Sequence, residues 1–334
     1  MTVLKWGLIG AGDIAQKRVA PALRDLASCE LVSVSRSRSE LAEAFAKGFG
    51  ARKWFAEWSE LVADDEIDAV YIATPVYLHA EQAIAAAAAG KHVLCEKPMA
   101  LTVQECDKMI AACRANNVNL GIAYYRRFYP LLSRVKQIIG SGELGTLSVA
   151  QINAFEYFDP SVENSRHWLL ERKKGGGGPM MDFGCHRIEV LTNLFGAVRR
   201  VEAIISNEVL AREVEDTAAV LFQFESGVSA NLIVTHAAIE PQDTLAVYGT
   251  KGSIQIPVLN QGRMTVRIGA NEREEFHPPA GNVHEPLIEK FTQAVLRNAE
   301  PEVNGEIGRQ VSAVIEEIYR KGENYISSIG AADI

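Results

Sequence analysis

Long apolar runs are missing from this chain of 334 residues. The longest aliphatic stretch, AIAAAAA at 83–89, is far too short to cross a bilayer, so no membrane partner is expected. The opening MTVLKWGLIG places a lysine inside its only apolar stretch, so no secretory leader is expected either. Excess positive charge is also missing. With Lys+Arg 34 against Asp+Glu 42 the net charge is −8, and the pI is near 5.5. A nucleic acid or an anionic membrane would be repelled. Cysteines are few and unpaired in pattern: Cys29, Cys95, Cys106, Cys113 and Cys185 are odd in number and never spaced CxxC. That excludes a disulfide framework and a structural zinc site, and it suits reduced thiols in the cytoplasm. No His/Cys ligand spacing calls for a metal. Repeats and low-complexity linkers are absent as well.

What remains is enough apolar residue, 48%, for large cores, in a chain too long for one ordinary domain and suited to two. The first third alternates strands and helices. LKWGLIG (4–10), ELVSVS (30–35), DAVYIAT (68–74), KHVLCEKP (91–98) and NLGIAYY (119–125) read as strands. Between them lie helical patterns: DIAQKRVAPALRDL with an internal proline, SELAEAFAKGFG with Ser37 and Glu40 as a capping box, HAEQAIAAAAAG, and a helix opened by Thr102 and Glu105. Such alternation predicts an α/β fold with a parallel sheet. After about residue 125 the texture changes. VAQINAFEYF (149–158) is extended, and DTAAVLFQFESGVSANLIVTH (216–236) reads as a hairpin with Val228, Ala230, Leu232 and Val234 on one face. DTLAVYG, KGSIQI and RMTVRI continue the strand pattern, and two helices, roughly 284–299 and 305–322, close the chain. The expected division is a dinucleotide-binding domain over 1–123 and an α+β domain with an open, largely antiparallel sheet over 124–334.

GLIGAGDIA (7–15) carries the first chemistry. Gly10, Gly12 and Ala15 fit G-x-G-x-x-A at a strand-to-helix turn, with Asp13 and Ile14 opening the helix. The first glycine permits the turn, the second lets backbone approach a pyrophosphate, and the small third residue lets helix and strand pack. A bare glycine pattern is common in structural turns, but this one sits in the first strand–helix–strand unit. The second strand then ends in SVSRSRSE, with no acid before Glu40. An acid there would bind the ribose hydroxyls of NAD(H), whereas Ser35, Arg36 and Arg38 suit a 2′-phosphate, so NADP(H) is expected ahead of NAD(H). The alternative is a solvated polar loop. In GKHVLCEKPMALT (90–102), Lys97 stands at a strand's carboxyl end, where ligands of open α/β sheets collect, and Glu96 and Pro98 fix its direction. Alone it would read as a surface lysine.

TPVYLHAEQAIAAAAAGKHVLCEKPMALT, with the glycine turn before it and GGGPMMDFGCHRIE after it, resembles the glucose–fructose oxidoreductase / inositol dehydrogenase family, Gfo/Idh/MocA. The similarity covers nearly the whole chain in the family's order: glycine fingerprint, TP…H, EKP, YRRF, GGG…DxGxH. The EKP and DxGxH pair is its specific part. The resemblance implies a Rossmann domain, a C-terminal α/β domain, and NAD(P)-dependent redox chemistry on sugars, cyclitols and related alcohols or ketones. It also implies a homodimer or homotetramer formed through the outer face of the C-terminal sheet.

Asp182 and His186 are i and i+4, so a helix presents them on one face. Hydride transfer to a ketone needs a proton delivered to the developing alkoxide. The resemblance implies that Lys97 and His186 manage that proton and that Asp182 orients them, with His186 favoured as acid/base. A capping aspartate and a core histidine are the bland alternative. Thr74, Pro75 and His79 are expected beside the nicotinamide; the family often has asparagine where this chain has Val76. Arg127 is expected to face substrate, although Arg126 is its equal on sequence grounds. Tyr157, Trp168 and His236 are substrate contacts placed by region, and Arg166 joins them. Glu189 is expected behind Asp182. Three function classes follow: an oxidoreductase acting on a sugar or polyol, a redox-neutral NAD(P)-dependent glycosidase, and a non-catalytic dinucleotide-sensing regulator. Lys97, Asp182 and His186 favour the first, since a sensor needs no proton donor.

Overall fold

The structure, a computed structural model, describes residues 2–330, and the side chains of 323–330 lie outside the description. It falls into two compact units. The first takes the chain up to Tyr125 together with Ala280–Ser312; the second takes Arg126–Pro279 and the chain from Ala313 onward. None of the described helices is long and apolar enough to cross a membrane.

In the first unit six strands form one sheet: β1 (Leu4–Ile9), β2 (Cys29–Ser35), β3 (Lys53–Phe55), β4 (Ala69–Ile72), β5 (His92–Cys95) and β6 (Leu120–Ile122). Their order is β3-β2-β1-β4-β5-β6, and every pair is parallel. The strands are short apolar runs because both faces are covered, as with Leu8, Val34, Ile72 and Leu94, each at most 1% exposed. The order reverses between β1 and β4, which opens a crevice at the strands' carboxyl ends. Helix Glu285–Leu296 returns to this unit, and Phe291 meets Trp6 with ring centroids 5.6 Å apart. Gly121 on β6 admits it, since a Cβ there would lie 2.6 Å from Phe291.

Two local expectations differ. DIAQKRVAPALRDL is not one regular helix: Ala15–Val19 is a π-turn, followed by α-helix Ala20–Asp25. Pro21 has no N–H for the carbonyl four residues back, and its ring crowds that carbonyl, so the turn widens. The expected Ser37 capping box is not formed either. The helix runs Ser39–Phe49 from an extended Arg38, with no side-chain cap. Thr102 and Glu105 do form a capping box on Val103–Ala115, each side chain meeting the other's backbone N–H.

The second unit carries eight strands: β7 (Leu147–Tyr157), β8 (Val198–Ser206), β9 (Thr217–Phe224), β10 (Ser229–Thr235), β11 (Ala237–Gly249), β12 (Gly252–Ile256), β13 (Arg263–Ile268) and β14 (Asn271–Phe276). Their order is β14-β13-β12-β11-β7-β10-β9-β8. All neighbours are antiparallel except β7 and β10, which run parallel in the middle. β14 carries Glu272, Arg273, Glu274 and Glu275, a composition a sheet tolerates at its edge. One face of β7 and β10 is apolar and buried: Ala150, Ile152 and Ala154 beside Ala230, Leu232 and Val234.

Candidate active site

In the first unit the expected cofactor residues gather at the ends of the parallel strands. Gly10 follows β1 at φ +87°, a left-handed conformation that L side chains rarely adopt, and a Cβ there would meet Ala73 and Thr74 at 2.8 Å. The N–H groups of Gly10 and Ala11 both donate to the Ser35 carbonyl, at 3.1 and 3.0 Å, so the turn is pinned to the end of β2. A Cβ on Gly12 would meet nothing nearer than the Gly10 carbonyl at 3.9 Å, so that backbone stands open. Buried Ala15 packs below, while Asp13 and Ile14 are exposed, Asp13 pairing with Lys17 at 2.8 Å. The open glycine backbone, the start of a helical segment and the strand-order reversal fit the pyrophosphate of a dinucleotide. Ser35 is buried, whereas Arg38 is exposed and Arg36 partly so.

Thr74 and Pro75 follow β4, and Glu96 and Lys97 follow β5. His79, 1% exposed, links the two loops: Nε2 lies 2.8 Å from the Thr74 carbonyl and Nδ1 lies 3.0 Å from the Pro98 carbonyl. Burial pulls its pKa down against those two carbonyls, which favour a proton. The Lys97–Pro98 bond is cis. Glu96 turns inward. Its carboxylate accepts from Tyr71 Oη at 2.8 Å and His284 Nε2 at 3.2 Å, and from the Lys97 backbone N–H at 3.2 Å. Burial pushes the Glu96 carboxyl up, yet His284, Lys97 and Tyr71 hold it below its ordinary value.

In the second unit Asp182 sits in a π-turn, Met180–Gly184, that leads directly into helix Cys185–Phe195 bearing His186. A π-turn widens the backbone locally, a feature common at functional sites. The glycines before it answer to packing. A Cβ on Gly177 would strike Tyr319 Oη at 1.9 Å, and one on Gly178 would strike the Glu215 carbonyl at 1.9 Å. Glu215 accepts from the Gly178 and Met180 N–H groups at 2.8 and 3.1 Å, and from Tyr319 Oη at 2.9 Å. Burial raises its pKa, and those three donors oppose the rise.

His236 lies 3.6 Å from Asp182 Oδ2 through its Nε2, and Arg166 lies 3.6 Å from the same oxygen. Glu156, which stands outside the site residues expected from sequence, joins them at 4.0 Å from His236 Nε2. Strand parity explains this. Ala154 pairs with Val234 across the parallel ladder, so the next inward positions, Glu156 and His236, stand side by side. The two apolar alternations, 150-152-154 and 230-232-234, each break to a polar residue at that next step; that break was the signal available in the sequence. Tyr157 falls on the opposite face of β7 and is 58% exposed. Trp168 lies in a short 3₁₀ turn, His167–Leu170, and is half-buried. Arg127 donates to Glu189 at 2.8 Å, and the carboxyl of that fully buried glutamate is pushed up to about 7 by burial against the pull of Arg127. Its neighbour Arg126 instead lines a pocket of about 410 Å³ with Glu156, Phe183, Arg187, Asp243 and Asn260.

Comparison with known proteins agrees with this layout. Residues 4–124 match the NAD-binding Rossmann-fold domain of the Gfo/Idh/MocA oxidoreductase family, and residues 132–255 match the family's C-terminal domain. The chain is 33% identical to 1,5-anhydro-D-fructose reductase of Ensifer adhaerens, covering 91% of this chain and 92% of that protein. It is 32% identical to trans-1,2-dihydrobenzene-1,2-diol dehydrogenase of Mus musculus, covering 83% and 80%. A levoglucosan dehydrogenase solved in complex with NADH and levoglucosan superposes with a TM-score of 0.86 at 26% identity, covering 97% of this chain and 98% of that one. On fold, motif order and sequence together, the chain belongs to the Gfo/Idh/MocA family of oxidoreductases.

Proposed function

We propose that the protein reduces or oxidises a carbonyl or carbinol carbon of a sugar, cyclitol or related polyol, with NADP(H) as the preferred dinucleotide. One observation carries the reading: an open glycine turn at the strand-order reversal of one unit and the Asp182/His186 pair of the other occur in a single chain. The nicotinamide, when bound, supplies or accepts the hydride. The chain's own residues handle the rest. Gly10, Gly12 and the helix start after them hold the pyrophosphate, Ser35, Arg36 and Arg38 take the 2′-phosphate, and Thr74, Pro75 and His79 shape the nicotinamide end. His186 moves the proton at the substrate oxygen, Lys97 polarises that oxygen as charge develops on it, and Asp182 orients the imidazole. Arg127, Trp168 and His236 are the substrate-contacting set; Tyr157, expected among them, lies on the outer face of β7 and is left out.

Relatives named 1,5-anhydro-D-fructose reductase and trans-1,2-dihydrobenzene-1,2-diol dehydrogenase support a cyclic, hydroxylated substrate. On the second sheet's outer face Val149, Ile204 and Leu221 are 37, 53 and 62% exposed, which supports a homodimer or homotetramer through that face. The net charge of −8 and five free thiols support a cytoplasmic setting. The test is a panel of keto-sugars (1,5-anhydro-D-fructose among them), inososes, aldoses and dihydrodiols, followed by NADPH absorbance. Turnover of at least one member is expected. Tight dinucleotide retention after dialysis without net NADPH turnover would point instead to the glycosidase reading.

A further inference from the structure

Glu156, Asp182 and His236 have the look of a metal site: one ligand atom from each lies within 4.8 Å of the others. The surroundings of His236 rule on that. Arg212 reaches His236 Nδ1 with a guanidinium nitrogen at 2.7 Å. Guanidinium nitrogens only donate, so Nδ1 accepts and the ring proton sits on Nε2. Arg212 cannot turn away, because it also donates to the carbonyls of Phe158 at 2.8 Å and Glu215 at 3.1 Å. Phe158 and Phe183 flank the ring, with centroids 5.0 and 5.1 Å from it. A metal-bound imidazole needs its lone pair on the ligating nitrogen and an acceptor for the other N–H. Here both requirements are inverted.

His236 is 0% exposed, and among the described residues its Nε2 has no hydrogen-bond partner. Carboxylate oxygens of Asp182 and Glu156 stand 3.6 and 4.0 Å from that nitrogen, too far for a bond, and the three atoms lie within 4.8 Å of one another, so one hydroxyl oxygen seated above them can reach all three. Asp182 is 14% exposed and Glu156 46%, so the cluster is dry at its floor and open at its rim. Burial and the Asp182 charge raise the Glu156 pKa, while His236, Arg166 and Arg187 oppose the rise.

We propose that Glu156, Asp182 and His236 form a clamp for substrate hydroxyl groups, with Arg212 as the positioning residue that sets the imidazole as donor. A hydroxyl accepts from His236 Nε2–H and donates to one carboxylate, and a neighbouring hydroxyl of the same ring donates to the other. The clamp rests on the polyol reading and gives it a specificity element: a sugar or cyclitol presenting adjacent hydroxyls, not an isolated ketone. A buried donor left without that partner discriminates strongly against an analogue lacking the hydroxyl.

The test uses 1,5-anhydro-D-fructose and its monodeoxy analogues with NADPH, and zinc chloride by calorimetry. Glu156→Ala is expected to raise KM about tenfold or more with a much smaller change in kcat, since a charge-assisted hydrogen bond is lost. For one deoxy analogue the wild-type KM rises and Glu156→Ala adds nothing further. His236→Gln, which keeps an N–H donor in place, retains a near-normal KM, whereas His236→Leu does not. Arg212→Gln is expected to raise KM and to shift the ¹⁵N signature of the His236 ring away from Nε2–H. Zinc shows no stoichiometric binding. An unchanged KM in Glu156→Ala while the wild type turns over overturns the clamp alone, as does one-to-one zinc binding abolished by that substitution. No turnover by the wild type with this ketone or any other polyol of the panel overturns the polyol reading and the clamp with it.

Discussion

The carboxylate of Glu215 accepts a hydrogen bond from the backbone N–H of Gly178 at 2.8 Å, so the π-turn that carries Asp182 is held at its start by a side chain from outside its own helix. The same carboxylate takes the Met180 N–H and the Tyr319 hydroxyl. Replacing it by alanine strands two buried backbone donors and the half-buried Tyr319 hydroxyl. Glu215→Ala is expected to destabilise the fold by at least about 2 kcal/mol, and Glu215→Gln by less, because an amide oxygen still accepts. Urea denaturation checks this; a Glu215→Ala midpoint equal to the wild type's would remove the bracing role.

Lys97→Ala and His186→Ala are each expected to abolish turnover with little loss of dinucleotide affinity. Fluorescence titration with NADPH separates the two effects. Near-normal turnover in either variant ends that residue's role in handling the proton.

NADPH is expected to bind more tightly than NADH, and Arg36→Ala to shrink that preference by about tenfold or more, the worth of a charge-assisted hydrogen bond to phosphate. Arg36 lies at the end of β2 with its backbone N–H on the Phe55 carbonyl, so the truncation leaves the strand pairing intact. Equal affinities of the wild-type protein for both dinucleotides would sink the preference.

Glu189 supplies a pH test. Its carboxyl titrates near 7 in the folded protein against an ordinary value of 4.5. A raised carboxyl means that the folded state holds more protons than the unfolded chain between those values. Its contribution to stability is therefore present at the acid end and lost as pH rises from about 4.5 to about 7. Relative to the wild type, Glu189→Gln is expected to gain Tm across that interval and to hold a constant difference above it. A difference that is flat from pH 5 to 8 would contradict the assignment. The groups facing Glu189 are Arg127, bonded to it, with Arg126 and Lys136 farther off.

Much of this protein is legible without coordinates, and the legible part is local. The spacing of Gly10, Gly12 and Ala15 encodes a turn because conformational freedom and side-chain size belong to single residues. The Thr102/Glu105 box and the strand parity of 228–234 likewise depend on neighbours within a few positions. Tertiary structure decided what local pattern cannot carry. Parallel pairing of β7 with β10 sets Glu156 beside His236 across eighty residues. Segment 280–312 returns to the first sheet because Trp6 and Gly121 offer Phe291 its place. Arg212 fixes the donor nitrogen of His236 by reaching it from a loop. Such choices follow from which surfaces can be buried together and which polar groups must then find partners, and only the folded chain brings those candidates into range.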